Sequence, residues 1–585
     1  MRFRVLALDF DGTIALDGRL DPEVAAVLDQ LRAQGLVILL VTGRILNDLR
    51  CRLGSLRAFD AVVAEEGAVV AFPRSGTSRR LAPPPPPALL EALGARRLPF
   101  LAGQCLVECE AALAPAVLAL IRELELPLVI HFNRGRMMIL PQATSKATGL
   151  REALRTLRLS AHDALAIGDA ENDHQLLETC EVGVAVGWGS AALKRAADQV
   201  LEGAGPPAVA AYLREQLRSS ERLLPASKRH RLLLGRLDDG SEVFLHVRGR
   251  NLLITGDPLS GKSWLAGLLA EQLVLQGYSL CIVDPEGDYA ELGTLPGMRI
   301  LGGDDPLPGA RDLARLFAYP DASAVIDLSR CSAVEKPAYV GWLFAQLSEL
   351  RRRSGLPHRV IVDEAHYFLH EPADAARLDL ELGGYSLVSY QASRLHPPLL
   401  ASCRAILVTR ETDPREVDVL RALCAGDEDE AVWNGVLGKL DVDQAVLLPG
   451  AEEAGKRLLR FRLAPRLTHH VRHEHKYLDA PLAEHLAFRF APSPRLGARA
   501  ARSLREFTDV LECAQEAEID AHLRRGDFSS WVGEVFRDRV LAARLGEMEE
   551  LYRLGRLSDV NGALIHAVHE RYRIGEGPRA AALPP

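Results

Sequence analysis

The sequence predicts an α/β protein of several domains that ends in a mainly helical region. Residues 1–215 alternate short β-branched runs with helical patterns, which favours a parallel sheet. Residues 230–465 repeat this alternation after a polar linker at 216–229. Helical patterns dominate from 466 to 585. At 585 residues the chain is too long for one hydrophobic core, so we expect three or four domains.

The first block is predicted to contain a core that is interrupted by an inserted α+β subdomain. The interruption begins at five consecutive prolines, 83–87, which favour a stiff hinge between the two parts. The core would then comprise residues 1–80 and 141–215, and the insertion about residues 81–140. The predicted elements of the core include strands at 5–8, 37–41, 61–64 and 164–167 and a helix at 22–34.

Composition and charge are those of an ordinary globular protein. Hydrophobic residues make up 48%, charged residues make up 25%, and the net charge is −8. A net negative chain has no overall attraction for nucleic acid, so such a contact would need a local basic face. The nine cysteines include no C-x-x-C pair. The first apolar run, residues 5–8, is too short for a signal-peptide core, and no later stretch reaches 18 apolar residues. We therefore expect a cytoplasmic protein that does not span a membrane.

Two carboxylates follow the first predicted strand and form a candidate catalytic loop. Asp9 and Asp11 lie in the segment Asp-Phe-Asp-Gly-Thr, at the end of the strand where open α/β sheets bind ligands. Asp9 can attack phosphorus to form an aspartyl-phosphate. Asp11 can protonate the leaving oxygen and then activate water. Asp-x-Asp-Gly alone also occurs in turns and calcium loops, so catalysis needs further support.

Three further segments in chain order provide that support. Thr42 follows the predicted strand at 37–41 and offers a hydroxyl to a phosphoryl oxygen. Lys146 can neutralise negative charge in the transition state. The segment 168–173, Gly-Asp-Ala-Glu-Asn-Asp, supplies hard oxygen ligands of the kind that Mg²⁺ prefers. The four pieces together predict a phosphoryl-transfer site.

These segments resemble the haloacid dehalogenase (HAD) superfamily of phosphatases, and Gly-Asp-x-x-Asn-Asp followed by 182–187 resembles its Cof-type branch. The resemblance covers residues 1–215 and implies a Rossmann-like core with an inserted cap. It implies Mg²⁺-dependent hydrolysis of a small phosphomonoester such as a sugar phosphate or phosphoglycolate. The implied roles are nucleophile for Asp9, general acid/base for Asp11, phosphate ligands for Thr42 and Lys146, and metal-site residues for Asp9, Asp11, Asp169 and Asp173.

One segment departs from that family. Glu65-Glu66-Gly67-Ala68 stands where relatives usually have Asn before the Gly. The stretch between Arg44 and Lys146 matches the cap of the family, which covers the site and selects the substrate. The departure therefore bears on the substrate and leaves the core chemistry intact.

A complete phosphate-binding motif lies in the second block. Residues 256–263 read Gly-Asp-Pro-Leu-Ser-Gly-Lys-Ser between a predicted strand and a predicted helix. Backbone amides around Gly256 and Gly261 would cradle the phosphates of ATP. Lys262 would reach the β- and γ-phosphates, and the Ser263 hydroxyl would bind Mg²⁺.

Two later segments complete this second site. The apolar strand at 360–362 delivers Asp363, which suits Mg²⁺, and Glu364, which suits polarising the attacking water. Further on, an apolar run that ends at Tyr390 presents Gln391, which is placed to sense the γ-phosphate.

The combined pattern resembles the HerA/FtsK-like branch of P-loop ATPases, with Val-Asp-Pro-Glu-Gly-Asp-Tyr at 283–289 as a further mark. The resemblance covers residues 230–465. It implies a homo-hexameric ring that couples ATP hydrolysis to the movement of DNA or another polymer. It also implies an arginine contributed by the neighbouring subunit, for which the candidates are Arg394, Arg404 and Arg410.

Four histidines between 469 and 475 raise a metal hypothesis. No cysteine or downstream ligand pair completes a zinc spacing, so a basic strip that contacts a phosphate or a neighbouring subunit is favoured. Arg524 and Arg525 could add to such a basic face.

Long helices are predicted in the last region, over 503–523 and 531–554. The segment Gly-Asp-Phe-Ser-Ser-Trp at 526–531 resembles a small helical domain of unknown function. Its aromatic residues are predicted to lie in a core, and Asp527 and Ser529 to cap helices.

Three functions stay open at this point. The first is a bifunctional enzyme, a phosphatase fused to an ATPase, with Mg²⁺ as cofactor and ATP and a phosphomonoester as substrates. The second is an ATP-driven nucleic-acid translocase or processing protein in which the phosphatase is accessory. The third is that one site has become structural, which the presence of every motif residue disfavours.

Overall fold

The fold was obtained as a computed structural model. It describes residues 3–571, apart from 134, 219–228, 247–250, 333, 381, 425–429, 449–457, 469–481, 483, 492–498 and 537. The histidines between 469 and 475 and most of the predicted linker at 216–229 lie outside the described residues. The predicted α/β class is confirmed, with two large mixed sheets and a helical C-terminal region.

An eight-stranded sheet organises the first block. Six neighbouring strands are parallel and the last two are antiparallel. The parallel strands are apolar and largely buried, as expected for a sheet with helices on both faces. In spatial order the strands are Gln199–Leu201, Val182–Val186, Ala164–Gly168, Val5–Asp9, Val37–Val41, Ala61–Ala64, Val69–Phe72 and Thr77–Arg80.

The inserted subdomain contains a four-stranded antiparallel sheet. Two helices, Pro87–Ala95 and Ala114–Glu123, pack their leucines against it in a small separate core. In spatial order its strands are Leu128–Asn133, Arg136–Pro141, Val107–Glu110 and Leu101–Ala102.

An eleven-stranded sheet organises the second block. Its seven central and edge strands from Cys403–Val408 to Met298–Gly302 are parallel, and the other four are antiparallel. In spatial order the strands are Glu242–His246, Arg231–Arg236, Leu459–Leu463, Gln444–Leu448, Cys403–Val408, Asn251–Thr255, Tyr385–Ser389, Arg359–Val362, Leu280–Asp284, Ser323–Asp327 and Met298–Gly302.

The helices cover both sheets and form the C-terminal region. No helix in the described part of the chain combines the length and the hydropathy needed to cross a bilayer. Two short hairpins, Ala15–Leu16 with Arg19–Leu20 and Phe488–Arg489 with Ala500–Ala501, complete the strands. The α-helices are Pro22–Ala33, Leu46–Leu53, Pro87–Ala95, Ala114–Glu123, Lys146–Leu157, His174–Thr179, Ala191–Ala196, Gly205–Arg218, Lys262–Leu275, Ala310–Leu316, Glu335–Ser354, Pro372–Ala375, Pro397–Ala401, Pro414–Leu423, Glu430–Leu437, Leu504–Cys513, Glu516–Arg525, Asp527–Trp531, Arg539–Arg553 and Val560–Arg571.

The prediction of long C-terminal helices over 503–523 and 531–554 is wrong, because each of these regions is divided into shorter elements. The first helix ends at Cys513, where the Asn561 side chain donates hydrogen bonds to the carbonyls of Leu511 and Ala514. These bonds occupy carbonyls that a continuing helix would use. The second region contains a helix to Trp531, a π-helical turn and a new helix from Arg539.

The capping roles predicted for Asp527 and Ser529 are also wrong. Asp527 accepts hydrogen bonds from His522 and Arg525 of the preceding helix, and Ser529 bonds to Glu549 of a later one. The two side chains therefore tie helices together. The aromatic residues of this segment lie in the C-terminal core, as predicted.

Two candidate active sites

The first site forms where two adjacent parallel strands end. Asp9 is the last residue of Val5–Asp9, and Asp169 directly follows Ala164–Gly168. Both carboxylates are buried. Gly12, with φ of 83°, lets the loop after Asp9 turn back sharply, in a conformation that glycine tolerates without strain.

Lys146 links the acidic residues of this site. Its Nζ lies 2.7 Å from Asp9 Oδ1 and 2.6 Å from Asp173 Oδ1, and all three side chains are buried. Burial alone would lower the pKa of Lys146, but the carboxylates of Asp173 and Asp9 raise it well above its ordinary value. Burial and the Asp173 carboxylate raise the pKa of Asp9 well above its ordinary value. The site thus has more negative charge than one lysine neutralises.

The donor set fits a divalent cation. Asp9, Asp169 and Asp173 each bring a carboxylate oxygen within 4.8 Å of the others. Asp173 is held by the backbone amides of Asp169 and Ala170, at 2.9 and 3.0 Å. Buried carboxylates so close together repel one another unless a cation lies between them, and oxygen ligands suit Mg²⁺.

Asp11 lies outside that group of carboxylates. Arg44 holds it through two hydrogen bonds, from Nε to Oδ2 at 2.7 Å and from the terminal nitrogen to Oδ1 at 2.6 Å. Arg44 also pairs with Asp48 at 3.1 Å, which fixes the guanidinium in place. The Thr42 hydroxyl accepts a hydrogen bond from the Arg44 amide at 3.2 Å. The metal role predicted for Asp11 stays a prediction.

Glu66 belongs to the site, although the sequence indicated only a departure from the family pattern. Its Oε1 accepts a hydrogen bond from Asn172 at 2.6 Å, and burial raises the pKa of its carboxyl. It lines a cavity of about 400 Å³ together with Lys146 and His131. The neighbouring Glu65 points toward the insertion, where it accepts a hydrogen bond from the Cys105 amide at 2.8 Å.

A larger cavity of about 870 Å³ lies between Asp9 and the inserted subdomain. The core lines it with Asp9, Asp11, Thr42 and Arg44. The insertion lines it with Phe100, Glu108, Glu110, Asn133, Arg136 and Met138. The insertion therefore covers Asp9 and Asp11, and its implied role in selecting the substrate stays a prediction.

Gly43 sets the spacing between the core and this cap. A Cβ on Gly43 would stand 2.4 Å from Glu66 Oε1 and 2.9 Å from Met138 Sδ. We expect Gly43→Ala to push both neighbours away and lower phosphatase kcat/KM by about tenfold or more, because catalytic distances must hold within fractions of an ångström. Steady-state kinetics measure this. Gly94→Ala is the matched control, since a Cβ there meets nothing within 4 Å, and an equal loss in both variants would contradict the prediction.

The second site lies at the Gly256–Ser263 loop, between the strand Asn251–Thr255 and the helix Lys262–Leu275. Gly256 and Gly261 have φ of 143° and 103°, so glycine is required at both positions. The Lys262 Nζ donates hydrogen bonds to the carbonyls of Gly256 and Asp257, at 3.0 and 2.7 Å. The lysine is therefore folded over its own loop, where a phosphate would lie.

Asp363 lies beside this loop, and its role in binding Mg²⁺ stays a prediction. The Ser263 hydroxyl lies 3.3 Å from Asp363 Oδ2, so the two side chains can share one cation. Glu364 follows with φ of 47° and lies 3.6 Å from His366 Nδ1. Gln391 follows the neighbouring strand Tyr385–Ser389, where its backbone amide donates a hydrogen bond to Ser389 Oγ at 3.0 Å.

The three arginine candidates differ in their surroundings. Arg410 Nε lies 3.3 Å from Asp257 Oδ2 of its own loop, so it is engaged within the same chain. Arg394 is exposed and lies 3.4 Å from Gln391 Oε1, and Arg404 is exposed on the strand Cys403–Val408. A role for any of them in a neighbouring subunit stays a prediction.

The C-terminal region also reaches this loop, which the sequence did not indicate. Leu259, at the tip of the loop with φ of 66°, packs against the C-terminal hydrophobic core. Burial raises the pKa of Tyr390, and Arg502 of the C-terminal region is close enough to oppose that shift. Tyr390 in turn lies with its ring centre 6.0 Å from Lys262 Nζ.

Glu411 is a second residue that the sequence did not indicate. Burial raises its pKa to about 9, and the carboxylate of Asp257 contributes in the same direction. Glu411 is therefore protonated at neutral pH. Because its pKa is raised from 4.5 to about 9 in the folded protein, its contribution to stability is fully present below pH 4.5, falls steadily as the pH rises through neutrality, and is lost by about pH 9.

We expect Glu411→Gln to remove that loss, because glutamine keeps the shape of the protonated carboxyl and cannot ionise beside Asp257. Thermal unfolding followed from about pH 5 to above pH 9 should show a smaller fall for this variant than for the wild type. Glu242→Gln, at an exposed carboxyl, is the control and should follow the wild type. A wild-type fall in Glu411→Gln would disprove the role of Glu411.

Comparisons with known proteins agree with this two-block organisation. A family model described as haloacid dehalogenase-like hydrolase matches residues 106–213. A second model, described as the central domain of helicase HerA, matches residues 233–330 and includes the Gly256–Ser263 loop.

Individual relatives match the first block. The chain is 28% identical over 232 residues to phosphoglycolate phosphatase of Methanosarcina acetivorans, which covers 34% of this chain and 91% of that protein. It is 34% identical over 94 residues to stress response protein YhaX of Bacillus subtilis, and this match covers 16% of this chain and 33% of that protein. A solved structure of a haloacid dehalogenase-like hydrolase from Bacteroides thetaiotaomicron is 18% identical to this chain. The two structures superpose with a TM-score of 0.33, and the match covers 37% of this chain and 99% of that one. The chain thus carries an N-terminal haloacid dehalogenase-like hydrolase domain followed by a HerA central domain.

Proposed function

We propose that the chain is a bifunctional enzyme, in which an Mg²⁺-dependent phosphatase acts through an aspartyl-phosphate on Asp9 and a second domain hydrolyses ATP. The observation that carries the phosphatase is the buried group of Asp9, Asp169, Asp173 and Lys146. Asp9 of this group lines a cavity large enough for a small phosphomonoester. We propose that the phosphatase domain comprises residues 1–215, the linker residues 216–229, the ATPase domain residues 230–465 and the C-terminal region residues 466–585.

In this mechanism an oxygen of Asp9 bonds to phosphorus as the bond from phosphorus to the leaving oxygen breaks. Asp11 donates a proton to that oxygen and then takes one from the water that cleaves the aspartyl-phosphate. Arg44 holds both oxygens of Asp11, so one of these bonds has to open for proton transfer. Lys146 orients Asp9. Bound Mg²⁺, held by Asp9, Asp169 and Asp173, would neutralise phosphoryl charge.

The lining of the cap favours a sugar phosphate over phosphoglycolate. Glu108, Glu110 and Asn133 offer oxygen acceptors that suit the hydroxyls of a sugar. Arg136 is the cation that could bind a second anionic group, but it pairs with Glu108. A substrate carboxylate would have to displace Glu108 and lie among like charges.

The ATPase proposal rests on the arrangement of Lys262, Ser263 and Asp363 around one loop. ATP would displace the loop carbonyls from Lys262 and draw its amine to the β- and γ-phosphates. Glu364 would orient the attacking water, and Gln391 would contact the γ-phosphate. Mg²⁺ would be held by Ser263 and Asp363.

A second candidate function is DNA translocation, which the match to the central domain of helicase HerA favours. A translocase should hydrolyse ATP faster with double-stranded DNA, with an affinity that falls steeply as salt rises. A hexameric ring, the arrangement proposed for that function, would be measured by light scattering with ATP and Mg²⁺. Indifference of the ATPase to every nucleic acid would eliminate this function.

The deciding experiment is a panel of phosphomonoesters assayed with the Lys262→Ala protein, which removes phosphate released by ATP hydrolysis. We expect sugar phosphates to have the highest kcat/KM, and phosphoglycolate to be poorer. Higher activity on phosphoglycolate would refute the assignment of the cap. Absence of activity on every compound with Mg²⁺ present would refute the phosphatase itself.

A further inference from the structure

The two domains meet at a buried cluster of polar side chains that neither proposed reaction uses. Glu181 directly precedes one strand of the eight-stranded sheet, and His162 lies two residues before another, at the edge opposite the catalytic loops. Gln276 and Tyr278 follow the helix Lys262–Leu275 of the HerA domain. The His162 ring stacks on the Tyr278 ring, with centroids 3.7 Å apart.

His162 faces a hydrogen-bond acceptor on each side. Its Nε2 lies 2.8 Å from the carbonyl oxygen of Gln276, which can only accept, so Nε2 carries a proton. Its Nδ1 lies 2.9 Å from Glu181 Oε2. A neutral imidazole has a lone pair at its second nitrogen, which would repel this carboxylate. A proton or a metal ion therefore has to lie between Nδ1 and Glu181.

His230 distinguishes these two occupants. Its Nε2 lies 3.8 Å from the same oxygen of Glu181 and makes no hydrogen bond within the described part of the chain. The neighbouring Arg229 fixes the backbone here by donating to the Leu177 carbonyl at 2.7 Å and pairing with Asp198. A proton shared by His162 and Glu181 leaves the Nε2 lone pair of His230 without a hydrogen-bond partner in the described part of the chain, whereas a metal ion uses that lone pair.

We propose that His162 Nδ1, Glu181 and His230 Nε2 bind a zinc-class divalent cation at the boundary between the domains. The three ligand atoms lie within 4.8 Å of one another. Bonds of about 2.1 Å separate two ligand atoms of a tetrahedral ion by about 3.4 Å. The observed distances from Glu181 Oε2, 2.9 Å to His162 Nδ1 and 3.8 Å to His230 Nε2, lie on either side of this value. Two imidazoles with one carboxylate suit zinc and leave one position for water.

The surrounding hydrogen bonds have the arrangement that metal ligands need. The Gln276 carbonyl accepts from the far nitrogen of His162, which fixes the tautomer and the ring orientation. The Tyr278 hydroxyl donates to Glu181 Oε2 at 2.8 Å. Both partners come from the HerA domain, while His162 and Glu181 come from the hydrolase domain. The ion would therefore join the two domains directly. His230 would also attach to the ion the segment of chain that connects the two domains.

Zinc content of the full chain tests this proposal. The four histidines between 469 and 475 are replaced by glutamine in every protein, and Mg²⁺ is kept in excess to occupy the Asp9 site. Each protein is stripped with a chelator, loaded with Zn²⁺ in the presence of this Mg²⁺, desalted and analysed by mass spectrometry of the metal. We expect about one zinc ion per chain, lost in His230→Gln and in Glu181→Gln. His370→Gln, at an exposed histidine, should retain it.

Cobalt(II) gives a second readout that does not depend on a variant folding well. The protein loaded with Co²⁺ should show the intense visible absorption of a four-coordinate site, and His230→Gln should lack it. An equal zinc content in His230→Gln, in Glu181→Gln and in the protein from which both are made would overturn the proposal. The proposal would also be overturned if the Co²⁺-loaded protein with His230 and Glu181 unchanged lacked this absorption. Either result would leave a buried pair of His162 and Glu181 that shares a proton.

Discussion

Replacing Asp9 by Asn is expected to lower phosphatase kcat by at least about 1,000-fold, because the amide cannot attack phosphorus. Asn keeps the size of the side chain, so the fold should survive. The change also removes a carboxylate from the group around Lys146, which lies 2.7 Å from Asp9. The measurement is phosphate release from the best substrate of the panel, with ATP hydrolysis assayed in parallel.

ATP hydrolysis should stay at the wild-type rate in Asp9→Asn, because Asp9 and Lys262 lie in separate sites. Asp17→Asn is the matched control, since Asp17 is exposed in the same loop region. Full phosphatase activity in Asp9→Asn would show that another residue is the nucleophile. Loss of both activities would show that the two sites depend on each other.

Replacing Lys262 by Ala is expected to lower the rate of ATP hydrolysis by about 100-fold or more. Lys262 is buried in the Gly256–Ser263 loop, where its amine contacts two loop carbonyls that a phosphate would replace. Alanine supplies no charge to the β- and γ-phosphates. The measurement is ADP formation at saturating ATP and Mg²⁺, with nucleotide affinity measured separately.

Lys439→Ala is the control for this change, because Lys439 is an exposed lysine of the same domain. Phosphatase activity should be unaffected in both variants. If Lys262→Ala hydrolysed ATP as fast as Lys439→Ala did, the loop would not be the ATPase site. A fall in phosphatase activity confined to Lys262→Ala would instead reveal coupling between the domains.

The parts of both sites that follow parallel strands could be predicted from the sequence. The predicted strand at 37–41 is the observed strand Val37–Val41, because five apolar residues with no polar interruption can be buried on both faces. Short polar segments after such strands must lie at one edge of the sheet. This rule brought Asp9 and Asp169 together, and likewise Ser263 and Asp363.

Contacts between distant segments could not be predicted in this way. Glu66 joins the first site because its left-handed backbone, with φ of 54°, turns the side chain toward Asn172. Arg44 pairs with Asp11 across the gap between two strand ends. Neither contact has a fixed spacing in the sequence. His162 and Gln276 are 114 residues apart and meet only because the two domains pack together.

The C-terminal region shows a related limit. Its apolar pattern predicted helices, and helices are present, but their ends depend on tertiary contacts. The capping box of Gln515 and Glu518 starts a new helix at Glu516 and is a local signal for the break after Cys513. Asn561, from a helix near the far end of the described chain, adds hydrogen bonds at this break that have no fixed spacing in the sequence.

The packing of Leu259 on the C-terminal core fixes an order of events during synthesis. The Gly256–Ser263 loop is translated long before the aromatic residues Phe507, Phe528 and Trp531 of that core. Until those residues leave the ribosome, the tip of the loop presents an uncovered leucine to chaperones and to other nascent chains. The loop reaches its final packing only when the later C-terminal core folds back onto it.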